Sequence, residues 1–132
     1  MSLDEEIKEK ANYCLNCKIK PCSLKGCPLG NNIPEFIKQV KEENFVEAYK
    51  ILSETTVLQG VCGRICPHEK KCQSSCVRGI KGEPVSIGEL EALVFDKAVV
   101  EQKYSLLECY KDEMKQNKTN KKVAIIGGGP AG

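Results

Sequence analysis

Eight cysteines lie in two groups of four, with spacings that could direct several thiolates at one metal centre. The first cysteine segment, residues 14–27, reads Cys14-x2-Cys17-x4-Cys22-x4-Cys27, and the second cysteine segment, residues 62–76, reads Cys62-x3-Cys66-x5-Cys72-x3-Cys76. Iron–sulfur sites use short runs of this kind, commonly with proline after a cysteine, as at Cys27-Pro28 and Cys66-Pro67. The spacing therefore favours iron–sulfur ligation.

Structural zinc is the alternative for so many cysteines. Zinc sites usually repeat Cys-x2-Cys or combine it with histidine, and this chain has one Cys-x2-Cys and one histidine. That histidine, His68, stands in a charged run typical of a solvated loop. The ninth cysteine, Cys109, is far from both segments and is expected to be a small buried apolar residue. A zinc-stabilised docking module without a redox role stays as the alternative hypothesis.

Composition and charge disfavour several classes of protein. Nine of 132 residues are cysteine, and an odd number in a reducing compartment favours metal binding over disulfides. The longest apolar runs are far too short for a membrane span. The chain has only 5% aromatic residues and its lysines are dispersed, which disfavours nucleic-acid binding. The acidic N-terminus lacks the features of a secretory signal or transit peptide, so we expect a cytoplasmic protein.

Two helical units flank the first cysteine segment. Ser2-x-x-Glu5 is a capping box, and apolar residues then recur at helical spacing as far as Cys14. Pro34 suits the first turn of a helix, and the apolar pattern after it breaks near residues 43–44. We therefore expect one helix before the segment and a helical hairpin after it.

The second cysteine segment falls in a predicted loop, Gln59 to Gly82, which a helix follows. Ser86-x-x-Glu89 repeats the capping-box pattern and predicts a helix that reaches about residue 101. Apolar residues at helical spacing predict one more helix from Ser105 to Lys115.

Glu91 lies on the apolar stripe of the helix that starts at Ser86, in register with Ile87 and Val94. A carboxylate in that position needs a partner. The residues leave two partners open, which are a lysine in an ion pair and a metal centre that takes a hard oxygen ligand.

The C-terminal residues change character twice. Residues 116–122 are wholly polar and are expected to be a linker. Residues 123–132 read as a buried strand that enters Gly-x-Gly-x-x-Gly, where Gly127 would permit the tight turn, Gly129 the approach of a pyrophosphate and Gly132 the packing of a helix on the strand. We therefore expect a truncated start of a FAD/NAD(P)-binding Rossmann domain, and a chain that is a fragment of a longer enzyme.

Six motifs follow one another in a specific order along residues 11–132. They are Cys14-Leu15-Asn16-Cys17, Gly26-Cys27-Pro28-Leu29, Ile33-Pro34-Glu35-Phe36-Ile37, Cys62-Gly63-Arg64-Ile65-Cys66-Pro67, Ile87-Gly88-Glu89-Leu90-Glu91 and the run from Val123 to Gly132. With these motifs the chain resembles the N-terminal iron–sulfur domain of the small (beta) subunit of NADPH-dependent glutamate synthase. Relatives of that family include the N-terminal part of dihydropyrimidine dehydrogenase.

The resemblance implies an all-α, ferredoxin-like domain over residues 1–115 that holds two [4Fe-4S] clusters with interleaved ligands. The first cluster would be bound by Cys14, Cys17, Cys22 and Cys76. The second would be bound by Cys27, Cys66, Cys72 and a non-cysteine ligand at Glu91. Cys62 would then be the unligated member of its segment.

The same resemblance implies an electron-transfer role within an NAD(P)H-dependent flavoprotein oxidoreductase. FAD and NAD(P)H would bind only in the C-terminal domains of the full-length parent, and a larger catalytic subunit would be the partner. The fragment alone would not be catalytic.

Overall fold

The computed structural model describes residues 3–105, 108, 111, 115 and 119–129, with side chains from Glu5 onward. This part of the chain is helical and contains no strand. Its α-helices are α1 (Leu3–Asn12), α2 (Ile33–Lys41), α3 (Phe45–Ser53), α4 (Gln59–Ile65) and α5 (Ile87–Phe95). Single π-helical turns cover Cys22–Gly26 and Asp96–Glu101, and 3-10 turns cover His68–Lys70, Gln73–Ser75 and Val77–Ile80. The expected all-α fold is confirmed for the described residues.

Helices α2, α3 and α5 build the apolar core. Its largest side chains include Phe36, Ile37, Tyr49, Leu52 and Leu90, each at most 1% exposed. Burial of side chains of this size contributes about 1.5–3 kcal/mol each. The first cysteine segment connects α1 to α2, and the second runs from α4 toward α5, so the core fixes the ends of both segments.

The helices that flank the first segment match their predictions. Helix α1 ends at Asn12, just before Cys14, although the predicted cap Ser2 lies outside the described residues. Helices α2 and α3 form the predicted hairpin, and the Asn44 side chain caps α3 by accepting a hydrogen bond from the backbone N–H of Glu47 at 3.4 Å. The predicted end near residue 101 is also confirmed, since the second π-helical turn extends α5 to that point.

Helix α5 begins after Ser86 as predicted, but without its capping box. The Ser86 side chain makes no capping hydrogen bond. The Glu89 carboxylate instead accepts a hydrogen bond from Lys10 Nζ on α1, at 2.6 Å. The capping-box prediction is wrong because a charged partner from another helix competes for the carboxylate.

Helix α4 occupies the start of the stretch predicted as a loop, and that prediction is wrong for Gln59–Ile65. The helix has only seven residues, two of them glycine, so it shows no clear helical pattern. Packing explains why it forms nevertheless. A Cβ at Gly63 would lie 2.5 Å from the backbone N of Ala92 in α5, so glycine allows the two helices to cross at very close range.

Residues 119–129 form neither helix nor strand. The predicted strand from Val123 is absent from the described residues, which offer no neighbouring strand to pair with it. Most of the predicted helix Ser105–Lys115 lies outside the described residues, as do Cys109, Gly132 and part of the predicted linker. Across the described ranges, no helix has the length and apolar character to cross a bilayer.

Candidate metal centres

Four thiols surround one cavity, called here the first cavity. Cys14, Cys17 and Cys22 come from the first cysteine segment, and Cys76 comes from the end of the second. Apolar side chains complete the wall, including Ile33, Ile37, Val85 and Ile87. The cavity therefore combines four potential thiolate ligands with a lining that excludes water.

Local hydrogen bonds hold Cys14 at this cavity. Its backbone N–H donates a hydrogen bond to the carbonyl of Ala11, in the last turn of α1, at 3.0 Å. The backbone N–H of Asn16 donates to Cys14 Sγ at 3.5 Å. Lys41 Nζ on α2 donates to the Cys14 carbonyl at 2.8 Å. The lysine thus ties the segment to the core and brings a positive charge toward the thiol.

A second cavity lies between the two segments and α5. Its potential ligands are Cys27, Cys62, Cys66, Cys72, His68 and Glu91. Cys27 belongs to the first segment, whereas the other cysteines belong to the second. Both cavities therefore draw on both segments.

The two cysteine segments touch at Gly26. A Cβ on this residue would lie 2.7 Å from Cys72 Cα and 2.9 Å from the carbonyl oxygen of Lys71. Both are backbone atoms, which cannot move aside as a flexible side chain can. Glycine at this position brings Cys27 and Cys72 together at the second cavity.

Burial keeps several of the thiols protonated in the metal-free chain. It raises the pKa of Cys22 to about 11 and that of Cys72 to about 12. It also raises the pKa of Cys14 and of Cys62 above the usual thiol value. Metal binding at either cavity must therefore displace protons, since the thiolate is the ligand.

Glu91 lines the second cavity with a buried side chain. The residue is 5% exposed, and its Oε1 atom has no hydrogen-bond partner in the described part of the chain. Burial raises the pKa of this carboxyl to about 7. The lysine partner left open by the sequence is not formed among the described residues, whereas an oxygen ligand beside buried thiols fits a metal centre.

Within the described residues, no three histidine, cysteine or acidic side chains meet tightly enough to chelate one metal ion. The thiols instead ring two cavities. A single zinc ion needs its sulfur ligands about 2.3 Å away, while iron–sulfur clusters distribute four cysteines over several irons. The surrounding arrangement suits a multinuclear cluster in each cavity.

His68 and Cys62 join the second cavity although the sequence left them outside the predicted sites. The expectation that His68 is a solvated loop residue is wrong, because its Nε2 is buried and has no hydrogen-bond partner among the described residues. A Cβ at Gly88 would lie 2.4 Å from the imidazole, so α5 covers the ring. The signal available for Cys62 was its membership of the four-cysteine segment.

Two of the predicted nucleotide-binding glycines, Gly127 and Gly129, line neither cavity. Gly127 has a φ of 98°, which suits a turn. A Cβ at Gly127 or Gly129 would meet no other group within 4 Å. Gly132 lies outside the described residues.

Fold and site define a class of protein, a small helical domain whose two cysteine segments enclose thiol-lined cavities. The family described as dihydropyrimidine dehydrogenase domain II, 4Fe-4S cluster, matches residues 1–103. The chain belongs to this family, and it is an iron–sulfur domain.

Curated relatives agree with this placement. The chain is 37% identical over 127 residues to the glutamate synthase [NADPH] small chain of Escherichia coli (strain K12), covering 96% of this chain and 25% of the relative. It is 42% identical over 126 residues to the NAD-dependent dihydropyrimidine dehydrogenase subunit PreT of the same strain, covering 96% and 28%. The chain therefore spans about a quarter of the length of these relatives, which are oxidoreductase subunits.

Proposed function

We propose that this chain is an electron-transfer domain that holds two [4Fe-4S] clusters. The observation that carries the proposal is the sharing of ligands between segments. One cavity is ringed by four cysteines, three from the first segment and one from the second. The other receives one cysteine from the first segment and three from the second, with the buried Glu91 carboxylate beside them.

The proposed ligand sets rest on the family's motif positions, and the linings of the two cavities are consistent with them. The first set is Cys14, Cys17, Cys22 and Cys76. The second set is Cys27, Cys66, Cys72 and Glu91. When bound, each cluster supplies a centre that accepts and releases one electron at a time. The cysteines of this chain would bind each cluster as thiolates, and the apolar wall would exclude water. A lysine would place positive charge near the anionic ligands.

The parent enzyme is proposed to be an NAD(P)H-dependent flavoprotein oxidoreductase resembling the glutamate synthase small subunit. In this proposal residues 1–115 form the iron–sulfur domain, residues 116–122 the linker and residues 123–132 the start of a FAD/NAD(P)-binding domain. Gly127, Gly129 and Gly132 would then contact the dinucleotide. A larger catalytic subunit would accept the electrons, in a reducing cytoplasm that keeps the thiols free.

Metal and sulfide analysis tests the proposal directly. Protein purified without oxygen is assayed for iron, zinc and acid-labile sulfide, and the dithionite-reduced sample is examined by electron paramagnetic resonance. About eight iron and eight sulfide per chain are expected for two four-iron clusters. Zinc without sulfide, persisting after anaerobic reconstitution, would overturn the proposal and leave the zinc-stabilised docking module in its place.

A further inference from the structure

The second cavity offers more metal-binding groups than one cluster uses. A four-iron cluster takes four protein ligands, and the first cavity supplies four thiols. The second cavity is lined by four thiols, a carboxylate and an imidazole. Once Cys27, Cys66 and Cys72 are assigned, Cys62, Glu91 and His68 remain for a single coordination position.

The crossing of α4 and α5 brings these two residues together. Gly63 follows Cys62 on α4, and Ala92 follows Glu91 on α5. A Cβ at Gly63 would lie 2.5 Å from the backbone N and 2.8 Å from the Cα of Ala92. A very close contact of the two helices therefore lies directly beside both potential ligands.

The surroundings of Cys62 agree with this position. Its side chain lines the second cavity together with Cys66 and Glu91. Glu91 in turn has one carboxylate oxygen with no hydrogen-bond partner among the described residues. The thiol and the unpartnered carboxylate thus face the same ligand space.

We propose that Cys62 is a metal ligand in reserve, able to replace Glu91 as the fourth ligand of the second centre. This inference rests on the proposed function. In the exchange the iron–carboxylate bond breaks and an iron–thiolate bond forms. The thiol proton passes to the released carboxylate. No electron is transferred, and the net charge of the ligand set is unchanged.

Four proteins test this proposal. All contain the complete iron–sulfur domain and are purified without oxygen. They are the wild type, Glu91→Ala, Cys62→Ser and the double variant. We expect about eight iron per chain in the wild type and in both single variants. The double variant, which lacks both ligands, is expected to lose at least one iron.

Spectroscopy shows whether Cys62 has replaced Glu91 as a ligand, which iron content alone does not reveal. Glu91→Ala is expected to shift the electron paramagnetic resonance signal and the midpoint potential of one centre, because a thiolate then replaces a carboxylate. Cys62→Ser is expected to leave the signal of the wild type unchanged. Cys17→Ala is the matched control, because the described residues that line the first cavity include no fifth potential ligand, and it is expected to lose iron from the first centre.

Three results would overturn the proposal. Glu91→Ala would lose as much iron as the double variant if Cys62 could not replace the carboxylate. A double variant that kept about eight iron would show that neither residue is needed to hold the second centre. His68 would then be the next ligand to test. A Cys62→Ser spectrum with an altered second centre would make Cys62 an ordinary ligand. Failure of the proposed function looks different, because the wild type itself would then lack iron and sulfide.

Discussion

The crossing of α4 and α5 permits a sharp prediction for Gly63→Ala. The added methyl would lie 2.5 Å from the backbone N of Ala92, 2.8 Å from its Cα and 3.0 Å from its Cβ. These are main-chain or rigid atoms, so α4 must move by about 1 Å to reach ordinary van der Waals contact. Overpacking of this kind costs about 1–3 kcal/mol.

Helix propensity acts in the opposite direction. Alanine is favoured over glycine in a helix by about 1 kcal/mol, so we expect the free energy of unfolding to fall by up to about 2 kcal/mol. A loss of about 1 kcal/mol, the middle of this range, lowers Tm by about 5 °C in a domain of this size. Because the displaced helix begins the second cysteine segment, we also expect faster loss of iron from the second centre.

The measurement is thermal unfolding of the anaerobically purified protein by circular dichroism, together with the rate of iron release to a chelator. Gly79→Ala is the matched control. A Cβ there would meet Pro84 at 3.6 Å, which is an ordinary contact, so Tm should be unchanged. A Gly63→Ala protein with the Tm and iron-release rate of the wild type would refute the close-crossing argument.

Three further predictions concern the rest of the domain. Removal of iron with a chelator under reducing conditions should abolish the cooperative melt, because the ligands tie both segments together; native helicity with an unchanged melt would contradict this. Leu52→Ala should lower the free energy of unfolding by about 2–5 kcal/mol, since Leu52 is 0% exposed, whereas Val100→Ala, at a 61% exposed position, should change it little in the same urea titration. Lys10→Ala removes exposed ion pairs with Glu6 and Glu89 and should cost less than about 1 kcal/mol. A larger effect of that substitution, or one that does not diminish at high salt, would show that the pairs are more than surface contacts.

Helix positions were predictable where the chain carries long apolar periodicity. The hairpin of α2 and α3 and the end of the α5 extension follow directly from such patterns. Helix α4 did not, because two glycines weaken its local signal and its stability depends on contact with α5. The capping box at Ser86 failed for a related reason, since Glu89 is drawn to a lysine far away in the sequence.

The candidate site shows the same division between local and distant information. Cysteine spacing marked both segments as metal-binding, but spacing alone suggests four ligands within each segment. The crossing of Cys76 to the first cavity and of Cys27 to the second depends on how the segments fold against each other. The contact of the half-buried His68 ring with α5 is likewise a tertiary effect, and the charged neighbours of His68 in the sequence give no sign of it.

Each cavity takes one cysteine from the other segment, Cys76 in the first cavity and Cys27 in the second. This arrangement has a consequence for biosynthesis. The first cavity lacks its fourth thiol until Cys76 has been translated, roughly 50 residues after Cys22. Because translation adds about 5–20 residues per second, the three thiols of the first segment lack the fourth one for several seconds. With the proposed ligand sets, neither site would be complete on an early nascent segment, so metallation would follow the synthesis of Glu91, and the thiols would have to stay reduced until then.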